Sequence, residues 1–255
     1  MKPILEVANL SKEFGGVQAV ADLSFAADEG RIHSIIGPNG AGKTTLFNLI
    51  TGVYAPSAGC IRLGGEDITA LPTPARAARG IQRTFQNLQI FFNMTALENV
   101  MVGRHLALKP RFLPSLFRLP AMVRADIETE EHAVDLMNYV GLGAWVDAEA
   151  DAMPYGALKR LEIARALAAK PRLLLLDEPA AGLNPVETAS IDELIKKIAR
   201  GGTTVILVEH DMKLVMGVSD HILVLDYGRK LAEGTAAEVR ANPEVIRAYL
   251  GAGAA

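Results

Sequence analysis

The sequence contains very little cysteine, and this limits the sites that it can build. Cys60 is the only cysteine among 255 residues, which excludes a disulfide framework and a cysteine metal cluster. A reducing, cytosolic compartment fits this composition. An excess of positive charge is also missing, because the formal net charge is −3. No overall basic field therefore favours nucleic acid as a partner, although local basic patches stay open.

Long apolar segments are absent as well. No apolar run approaches the roughly 20 residues of a membrane-spanning helix. The opening MKPILEVANLSKEF is not a secretory signal, because Glu6 and Lys12 interrupt its apolar positions. We therefore expect a soluble protein, which could still dock on a membrane protein from the cytosolic side. Half of the residues are hydrophobic, enough for the core of one large domain or of a core domain with a smaller lobe.

Short apolar runs alternate with amphipathic helical segments. The runs IHSIIG, LLLLD and TTVILVEH are bounded by Gly, Pro or charged residues and are too short for buried helices, so we predict three strands. Strand followed by helix, repeated, predicts an α/β fold with a largely parallel sheet. The clearest helical stripe consists of Ile191, Leu194, Ile195 and Ile198.

Other segments indicate antiparallel strands and a helical lobe. ILEVANLSKEF and CIRLGGEDI, in the N-terminal third, suggest additional short antiparallel strands, and ILVLDYGRKLAEG predicts a hairpin around Asp226–Gly228. Residues 95–152 are mainly helical in pattern. This predicts a core of residues 1–94 and 153–255 with a second lobe, residues 95–152, between its two parts.

The second lobe contains a basic, proline-containing insertion at about residues 104–122. Its sequence RHLALKPRFLPSLFRLP carries several Arg and Lys residues and three prolines. One interpretation is a solvated surface insertion. The other is a docking surface for a partner or for anionic headgroups, and the sequence does not choose between them.

The segment GPNGAGKTT, residues 37–45, fits the pattern G-x-x-x-x-G-K-[ST] between a predicted strand and a helix. Its glycines let successive backbone N–H groups surround phosphate oxygens, and the helix adds the positive end of its dipole. We expect Lys43 to reach the β and γ phosphates and the Thr44 hydroxyl to bind Mg²⁺. A chance glycine-rich turn is the alternative. The candidate phosphate-binding residues are Gly37, Pro38, Asn39, Gly40, Ala41, Gly42, Lys43, Thr44 and Thr45.

The segment RLLLLDEP supplies two carboxylates at the end of a buried strand. Ligands of open α/β sheets lie at the carboxyl ends of the strands, where Asp177 emerges. We expect Asp177 to hold Mg²⁺ directly or through water, and Glu178 to polarise a water for attack on the γ phosphate. Two solvated carboxylates at a strand end are the alternative.

The segment MPYGALKRLEIARAL predicts a helix from Gly156 with an unusual start. One face carries Leu158, Leu161, Ala164 and Leu167. Pro154 brings neither a backbone N–H nor a hydroxyl, and Tyr155 and Gly156 follow where a Ser or Asp cap would be expected. What a helix with so bare a start points at depends on the rest of the chain.

These segments together resemble one family. GPNGAGKTT, RTFQN, YGALKRLEIARAL, LLLLDEPAAGLNP and VEHDM, in that order, resemble the ATP-binding subunits of ABC transporters over nearly the whole chain. The first segment alone would indicate only a P-loop NTPase. The resemblance implies an α/β ATPase: a P-loop NTPase core with a mainly parallel sheet, N-terminal antiparallel strands and an inserted helical lobe.

The resemblance also implies roles for residues outside the phosphate loop. Gln86 resembles the glutamine that approaches Mg²⁺ and the attacking water, so Thr44, Gln86 and Asp177 would form the metal site. His210 resembles the switch histidine that hydrogen-bonds the γ phosphate, although a satisfied histidine after a strand is the alternative. Phe14 resembles the aromatic residue that stacks on adenine, although a core phenylalanine is the alternative. Glu178, His210 and Gln86 would then be the catalytic residues.

In this family the signature helix points at ATP held by a second subunit. The common Ser-Gly-Gly-Gln pattern is replaced here by Pro154, Tyr155, Gly156 and Ala157. The serine hydroxyl is missing, and the N–H groups of the last three residues would contact ATP in trans. The loss of one neutral hydrogen bond would cost about 1 kcal/mol, so we expect a signature that works but binds less tightly. Asn184 stands where many relatives carry Asp.

Further segments resemble one group within the family. FGGVQAVADLSF, AGLNP and NPEVIRAYLG look like the branched-chain amino-acid uptake ATPases, and the insertion resembles the larger of the two ATPases of that system. Urea-uptake and lipopolysaccharide-export ATPases are alternatives. A non-transport ABC ATPase and a regulatory subunit that binds ATP without hydrolysing it are further ones.

The resemblance implies ATP and Mg²⁺ as ligands and several protein partners. We expect a second ATP-binding subunit, in a heterodimer rather than the alternative homodimer. Two membrane-spanning permease subunits would be direct partners, and a solute-binding protein an indirect one. No nucleic acid is expected. The chain would be cytoplasmic and peripheral on the cytoplasmic face of the inner membrane.

Overall fold

The computed structural model describes residues 3–104 and 120–251. Most of the basic insertion predicted at residues 104–122 lies outside the described residues. The strands are β1 (Pro3–Phe14), β2 (Val17–Asp28), β3 (Ile32–Ile36), β4 (Ala58–Leu63), β5 (Glu66–Asp67), β6 (Ile81–Arg83), β7 (Leu173–Asp177), β8 (Thr204–Val208), β9 (His221–Asp226) and β10 (Arg229–Gly234). The helices are α1 (Lys43–Thr51), α2 (Thr73–Ala77), α3 (Ala96–Val102), α4 (Pro120–Tyr139), α5 (Tyr155–Ala168), α6 (Pro185–Arg200), α7 (Met212–Val218), α8 (Ala236–Ala241) and α9 (Pro243–Gly251).

The larger sheet has six strands in the order β10-β9-β3-β8-β7-β6. The strands from β9 to β6 are parallel, and only β10 pairs antiparallel. The three predicted strands are confirmed as β3, β7 and β8, and every residue of each is buried. Continuous apolar runs are what strands covered on both faces require.

The smaller sheet is antiparallel, with the order β2-β1-β4-β5. It confirms the additional strands predicted in the N-terminal third. The predicted hairpin is also confirmed, because β9 and β10 pair around Tyr227 and Gly228. Both turn residues have positive φ, 43° and 76°, as a two-residue hairpin turn of the primed type requires.

Helix α1 lies between the two sheets. Its buried side chains, including Leu46, Phe47 and Ile50, share one hydrophobic cluster with residues of β1, β4 and β7. The other face of the large sheet is covered by α5 and α6, and the predicted stripe of α6 is buried there (Ile191, Leu194, Ile195 and Ile198). Ile35, next to the carboxyl end of β3, belongs to the same cluster as Leu46 of α1.

Between residues 95 and 152, the described part of the chain is mainly helical and has one bridge, between Thr95 and Glu149. It contains α3, α4 and two short 3₁₀ turns, Gly143–Trp145 and Ala150–Ala152. Its buried residues belong to the same hydrophobic cluster as α5 and α6. The division of the chain into a core and a second lobe therefore stays a prediction. No helix in the described ranges is long and apolar enough to cross a membrane.

Candidate nucleotide-binding site

A cavity of about 450 Å³ opens at the carboxyl ends of β3, β7 and β8. Parallel strands end at the same edge of the sheet, so the loops that follow them meet there. The structure thereby brings most of the predicted site residues together, although they come from four separate parts of the chain. The lining consists of Ala19, Asn39, Gly40, Ala41, Gly42, Lys43, Thr44, Thr45, Gln86, Glu178, Val208 and His210.

The phosphate loop needs glycine at two positions for steric reasons. A Cβ on Gly37 would collide with the carbonyl oxygen of Leu225, and a Cβ on Gly42 would lie 2.5 Å from that of Ala19. Gly42 has φ of 97° and caps α1 without a side-chain hydrogen bond. The first N–H groups of α1 therefore face the cavity, where an anion can accept from them.

Lys43 folds back onto its own loop. Its Nζ donates to the carbonyl oxygens of Gly37 at 2.7 Å and Pro38 at 3.0 Å. Burial lowers the pKa of Lys43 from its ordinary value, while the negative charges of Glu178 and Asp177 oppose that shift. The ammonium group is thus held at the edge of the cavity, where an anionic ligand can recruit it.

Glu178 lies at the centre of a polar triad with Gln86 and His210. The His210 Nε2 is 2.8 Å from Oε1 of Glu178, and the Gln86 Nε2 donates to Oε2 at 3.1 Å. Glu178 also has φ of 50°, a conformation that is uncommon for a residue with a side chain and is often found at functional sites. Both carboxylate oxygens are therefore oriented by neighbours from other loops.

Asp177 is buried beside the cavity but is not among its lining residues. Its Oδ2 accepts from Nη2 of Arg83 at 2.7 Å. The oxygen ligands available for Mg²⁺, from Thr44, Gln86 and Asp177, are of the type that this ion prefers. No group of three or more His, Cys, Asp or Glu side chains among the described residues could hold an ion by itself. These residues therefore fit an ion whose other ligands are substrate phosphates and water.

Phe14 lies outside this cavity, at the end of β1. Its ring meets Tyr54 edge-on at 5.2 Å between centroids, and Nζ of Lys12 is 4.9 Å from the ring centre. The side chain is half-exposed, so the alternative of a core phenylalanine is wrong. An exposed aromatic face is available there for a planar ligand.

The start of α5 lies apart from the cavity of its own chain. Pro154 caps α5 without a side-chain hydrogen bond. The N–H of Ala157 donates to the carbonyl oxygen of Pro154 at 2.9 Å, so this predicted donor is already engaged within the helix. Within the described part of the chain, the N–H groups of Tyr155 and Gly156 have no acceptor. These two donors are therefore not used within the described chain.

Comparison with known proteins identifies the family. The model of the family "ABC transporter" matches residues 20–181. The chain is 49% identical to the high-affinity branched-chain amino acid transport ATP-binding protein BraF of Pseudomonas aeruginosa, over 98% of both chains. This chain belongs to the ATP-binding subunits of ABC transporters. It is accordingly an ATPase, as the sequence predicted.

Other relatives place this ABC ATPase more narrowly. It is 45% identical to the branched-chain amino acid transport ATP-binding protein LivG of Escherichia coli, over 98% of both chains. A model described as "Branched-chain amino acid ATP-binding cassette transporter" matches residues 229–255. A solved structure of the ADP conformation of an ATP-binding cassette superposes with a TM-score of 0.85 at 31% identity, covering 98% of this chain and 100% of that one. The predicted P-loop NTPase fold is confirmed.

Lys159 is a residue of this ABC ATPase that sequence reasoning missed. It lies on α5 and is only 2% exposed. Its Nζ donates to the backbone carbonyl oxygens of Gln86 and Glu178, both at 3.4 Å. It therefore joins α5 to two loops of the cavity. The helical pattern gave no signal, because a lysine on a helix usually faces solvent.

Glu209 was missed for a similar reason. Its Oε1 accepts from the N–H of Ala180 at 2.8 Å, and its Oε2 from the N–H of His210 at 3.0 Å. Burial raises the pKa of Glu209, and these backbone hydrogen bonds oppose the rise. This carboxylate joins the loops after β7 and β8, and only its position at the end of a buried strand could have indicated such a role.

Proposed function

We propose that this ABC ATPase hydrolyses ATP to power uptake of branched-chain amino acids through separate membrane-spanning subunits. The observation that carries the proposal is the cavity in which the phosphate loop meets Gln86, Glu178 and His210. The solute is inferred from the names of the relatives that are 49% and 45% identical and from the match at residues 229–255.

The polar triad supports in-line attack of water on the γ phosphate. Glu178 would accept a proton from the attacking water, while Gln86 holds the other carboxylate oxygen in place. His210 would exchange its contact with Glu178 for a γ-phosphate oxygen. Lys43 would leave the loop carbonyls for the β and γ phosphates. When bound, Mg²⁺ neutralises phosphate charge, and Thr44, Gln86 and Asp177 would hold it.

The start of α5 supports an ATP-bridged dimer. Its N–H groups at Tyr155 and Gly156 have no acceptor within the described chain, and an anion held by a second subunit could accept from them. Ala157 would contribute through the dipole of the helix rather than through a free N–H. We propose a second ATP-binding subunit as the partner, in a heterodimer rather than a homodimer, with adenine stacked at Phe14.

A groove of about 570 Å³ supports the docking of permease subunits. It lies between α5, α3 and the segment after β6, and the exposed rings of Phe85 and Phe91 border it. From α5, Glu162 accepts from the N–H of Phe85 at 3.2 Å, and Arg165 donates to the carbonyl of Gln89. A partner in this groove would press on the segment that carries Gln86. We propose two permease subunits there, hence a peripheral position on the cytoplasmic face of the membrane, with a solute-binding protein as an indirect partner.

Two substitutions test the proposed chemistry. Glu178→Gln should give a dimer that traps ATP with very low turnover, since the amide cannot accept a proton. Lys43→Ala should largely abolish ATP binding, measured by equilibrium titration. Wild-type turnover in the first variant would remove Glu178 from its role, and unchanged affinity in the second would contradict the phosphate-loop assignment.

Co-purification tests the transport role. We expect permease subunits to co-purify with the full chain, and the reconstituted complex to take up leucine, isoleucine or valine when ATP is supplied. Uptake of urea, or export of lipopolysaccharide, by that complex would assign the chain to a related system instead. ATPase stimulation by DNA or ribosomes would favour a non-transport role, and absence of basal ATPase activity a regulatory subunit.

A further inference from the structure

Arg83 is a buried cation that none of the proposed chemistry uses. It ends β6, three residues before Gln86. Only 8% of its side chain is exposed. A charged guanidinium is costly to bury unless it is paired and hydrogen-bonded, so its partners indicate what holds it there.

The first partner of Arg83 is Asp177, the carboxylate that we propose as a ligand of Mg²⁺. Its Nη2 donates to Oδ2 of Asp177 at 2.7 Å, and the Asp177 side chain is 6% exposed. Asp177 is not a lining residue of the phosphate cavity, although the next residue, Glu178, is one. The ion pair therefore engages one of the two carboxylate oxygens of Asp177 that a cation could use.

The second partner lies on the helix that follows the phosphate loop. Nη1 of Arg83 donates to Oδ1 of Asn48, on α1, at 2.6 Å. The guanidinium carbon also lies 5.3 Å from the ring centre of Phe47 and 5.2 Å from that of Phe85. Contacts with α1, β7 and the segment after β6 thus meet on one side chain.

The third feature is an incomplete set of hydrogen bonds. Among the described residues, Nε of Arg83 is buried without a hydrogen-bond partner. A purely structural arginine normally satisfies such a donor. Arg83 also borders the groove that we propose for the permease subunits, together with Phe85 and Glu162. The side chain is therefore hydrogen-bonded through both Nη atoms, to Asn48 and Asp177, but not through Nε.

We propose that Arg83 is a positioning residue that competes with the nucleotide-bound cation for Asp177. Arg83 neutralises Asp177 and engages its Oδ2. The carboxylate serves the cation once Arg83 releases that oxygen. Because Arg83 precedes Gln86 on the same segment, movement of that segment changes how readily the site takes up Mg²⁺. This inference rests on the proposed role of Asp177.

The test measures cation uptake rather than turnover. ATP binding to the full chain is followed by calorimetry in the Glu178→Gln background, first in EDTA and then at increasing Mg²⁺. Arg83→Met should lower the half-saturating Mg²⁺ concentration by about tenfold, the low end of what a neighbouring cation does to the proton affinity of a carboxylate. The affinity for ATP in EDTA should change by less than about twofold. Arg79→Met is the matched control, because Arg79 pairs with the exposed Glu66 at 2.8 Å, and it should change neither value.

A double-variant cycle separates positioning from a merely structural role. If Arg83 acts through Asp177, Arg83→Met should have no further effect on the Mg²⁺ dependence in an Asp177→Asn background. An equal shift in both backgrounds, or no shift in the first, overturns the inference. If Asp177→Asn alone leaves the Mg²⁺ dependence unchanged, the proposed role of Asp177 itself is wrong.

A second variant keeps the test decisive if Arg83→Met does not fold. Asn48→Asp preserves the shape of the side chain and offers Arg83 a competing carboxylate, which should draw it from Asp177. We expect the half-saturating Mg²⁺ concentration to fall in this variant as well, in the same direction as in Arg83→Met. An unchanged or higher concentration in a folded Asn48→Asp chain would contradict the competition.

Discussion

Helices α6 and α5 begin in opposite ways. At the start of α6, the side chain of Asn184 accepts from the N–H groups of Val186 and Glu187, both at 3.0 Å, and Glu187 accepts from the N–H of Asn184 at 3.0 Å. At the start of α5, Pro154 provides no side-chain cap. Helix α6 uses its terminal donors for its own stability, whereas α5 leaves two of them without an acceptor in the described chain.

The two helices also differ in how they are buried along the rest of their length. Helix α6 buries one apolar stripe and keeps its charges outside. Helix α5 is buried on most sides and includes Lys159 and Glu162 at 2% and 3% exposure. Both buried charges bind backbone groups of the segment that carries Gln86. Helix α5 is therefore attached to loops that line the cavity, while α6 mainly covers the sheet.

The two starts also touch each other. A Cβ on Gly156 would lie 2.5 Å from Oε1 of Glu187. The capping carboxylate of α6 thus occupies the space beside the first turn of α5. A sequence pattern that shows no acidic cap on α5 does not reveal this carboxylate, which comes from another helix.

The largest effect is expected at this contact. Gly156→Ala should displace Glu187 and obstruct the free N–H groups, which weakens ATP-driven dimerisation by about tenfold or more, or roughly 1.4 kcal/mol. Binding of ATP to the chain's own loop should not change. Analytical ultracentrifugation with Glu178→Gln chains measures the dimerisation. Gly217→Ala, at a position with open space around its Cβ, is the control, and equal dimerisation of both variants would contradict the comparison.

The capped helix provides the second prediction. Asn184→Ala should lower the free energy of unfolding by about 1 kcal/mol, because it removes the acceptor for two N–H groups of α6. Chemical denaturation measures this value, and Asn184→Asp, which keeps an acceptor, should lose much less. If the alanine variant were as stable as the natural chain, the capping box of α6 would contribute nothing to the free energy of unfolding.

The third prediction adds a cap to the uncapped helix. Pro154→Ser should strengthen ATP-driven dimerisation several-fold, since one neutral hydrogen bond contributes about 1 kcal/mol. Pro154→Ala restores the N–H without a hydroxyl, so it distinguishes the effect of the N–H from that of the hydroxyl. If the serine variant matched the natural chain in both ATPase rate and dimerisation, the start of α5 would not bind ATP less tightly because of Pro154, and the prediction would be wrong.

The smallest effect concerns the buried charge of α5. Burial raises the pKa of Glu162 above its ordinary value of 4.5. The folded chain therefore binds more protons than the unfolded chain between 4.5 and the raised value, and stability falls as pH rises through that window. Glu162→Gln keeps an acceptor for the N–H of Phe85 and should flatten this slope. Denaturation at several pH values measures the slope of stability against pH. Glu131→Gln, at an exposed position, is the control. An unaltered slope in Glu162→Gln would exclude Glu162 as its source.

Local patterns were sufficient for much of the fold. The runs that became β3, β7 and β8, the stripe of α6 and the hairpin at Tyr227–Gly228 were all predicted, because burial of contiguous apolar residues and turn chemistry are encoded in neighbouring residues. The alternative of a core phenylalanine at Phe14 was wrong. Its half-exposed ring depends on how β1 ends beside Tyr54, which no local pattern shows.

The sequence by itself determined the strands, the phosphate loop and the uncapped start of α5, since each depends on residues that are adjacent in the chain. Only the tertiary structure decided that Arg83 pairs with Asp177, that Lys159 joins Gln86 to Glu178, and that Glu187 lies against Gly156. The physical reason is burial. A charged side chain on a helix or strand is predicted to face solvent, and only packing between distant segments can supply the partners that allow it to be buried.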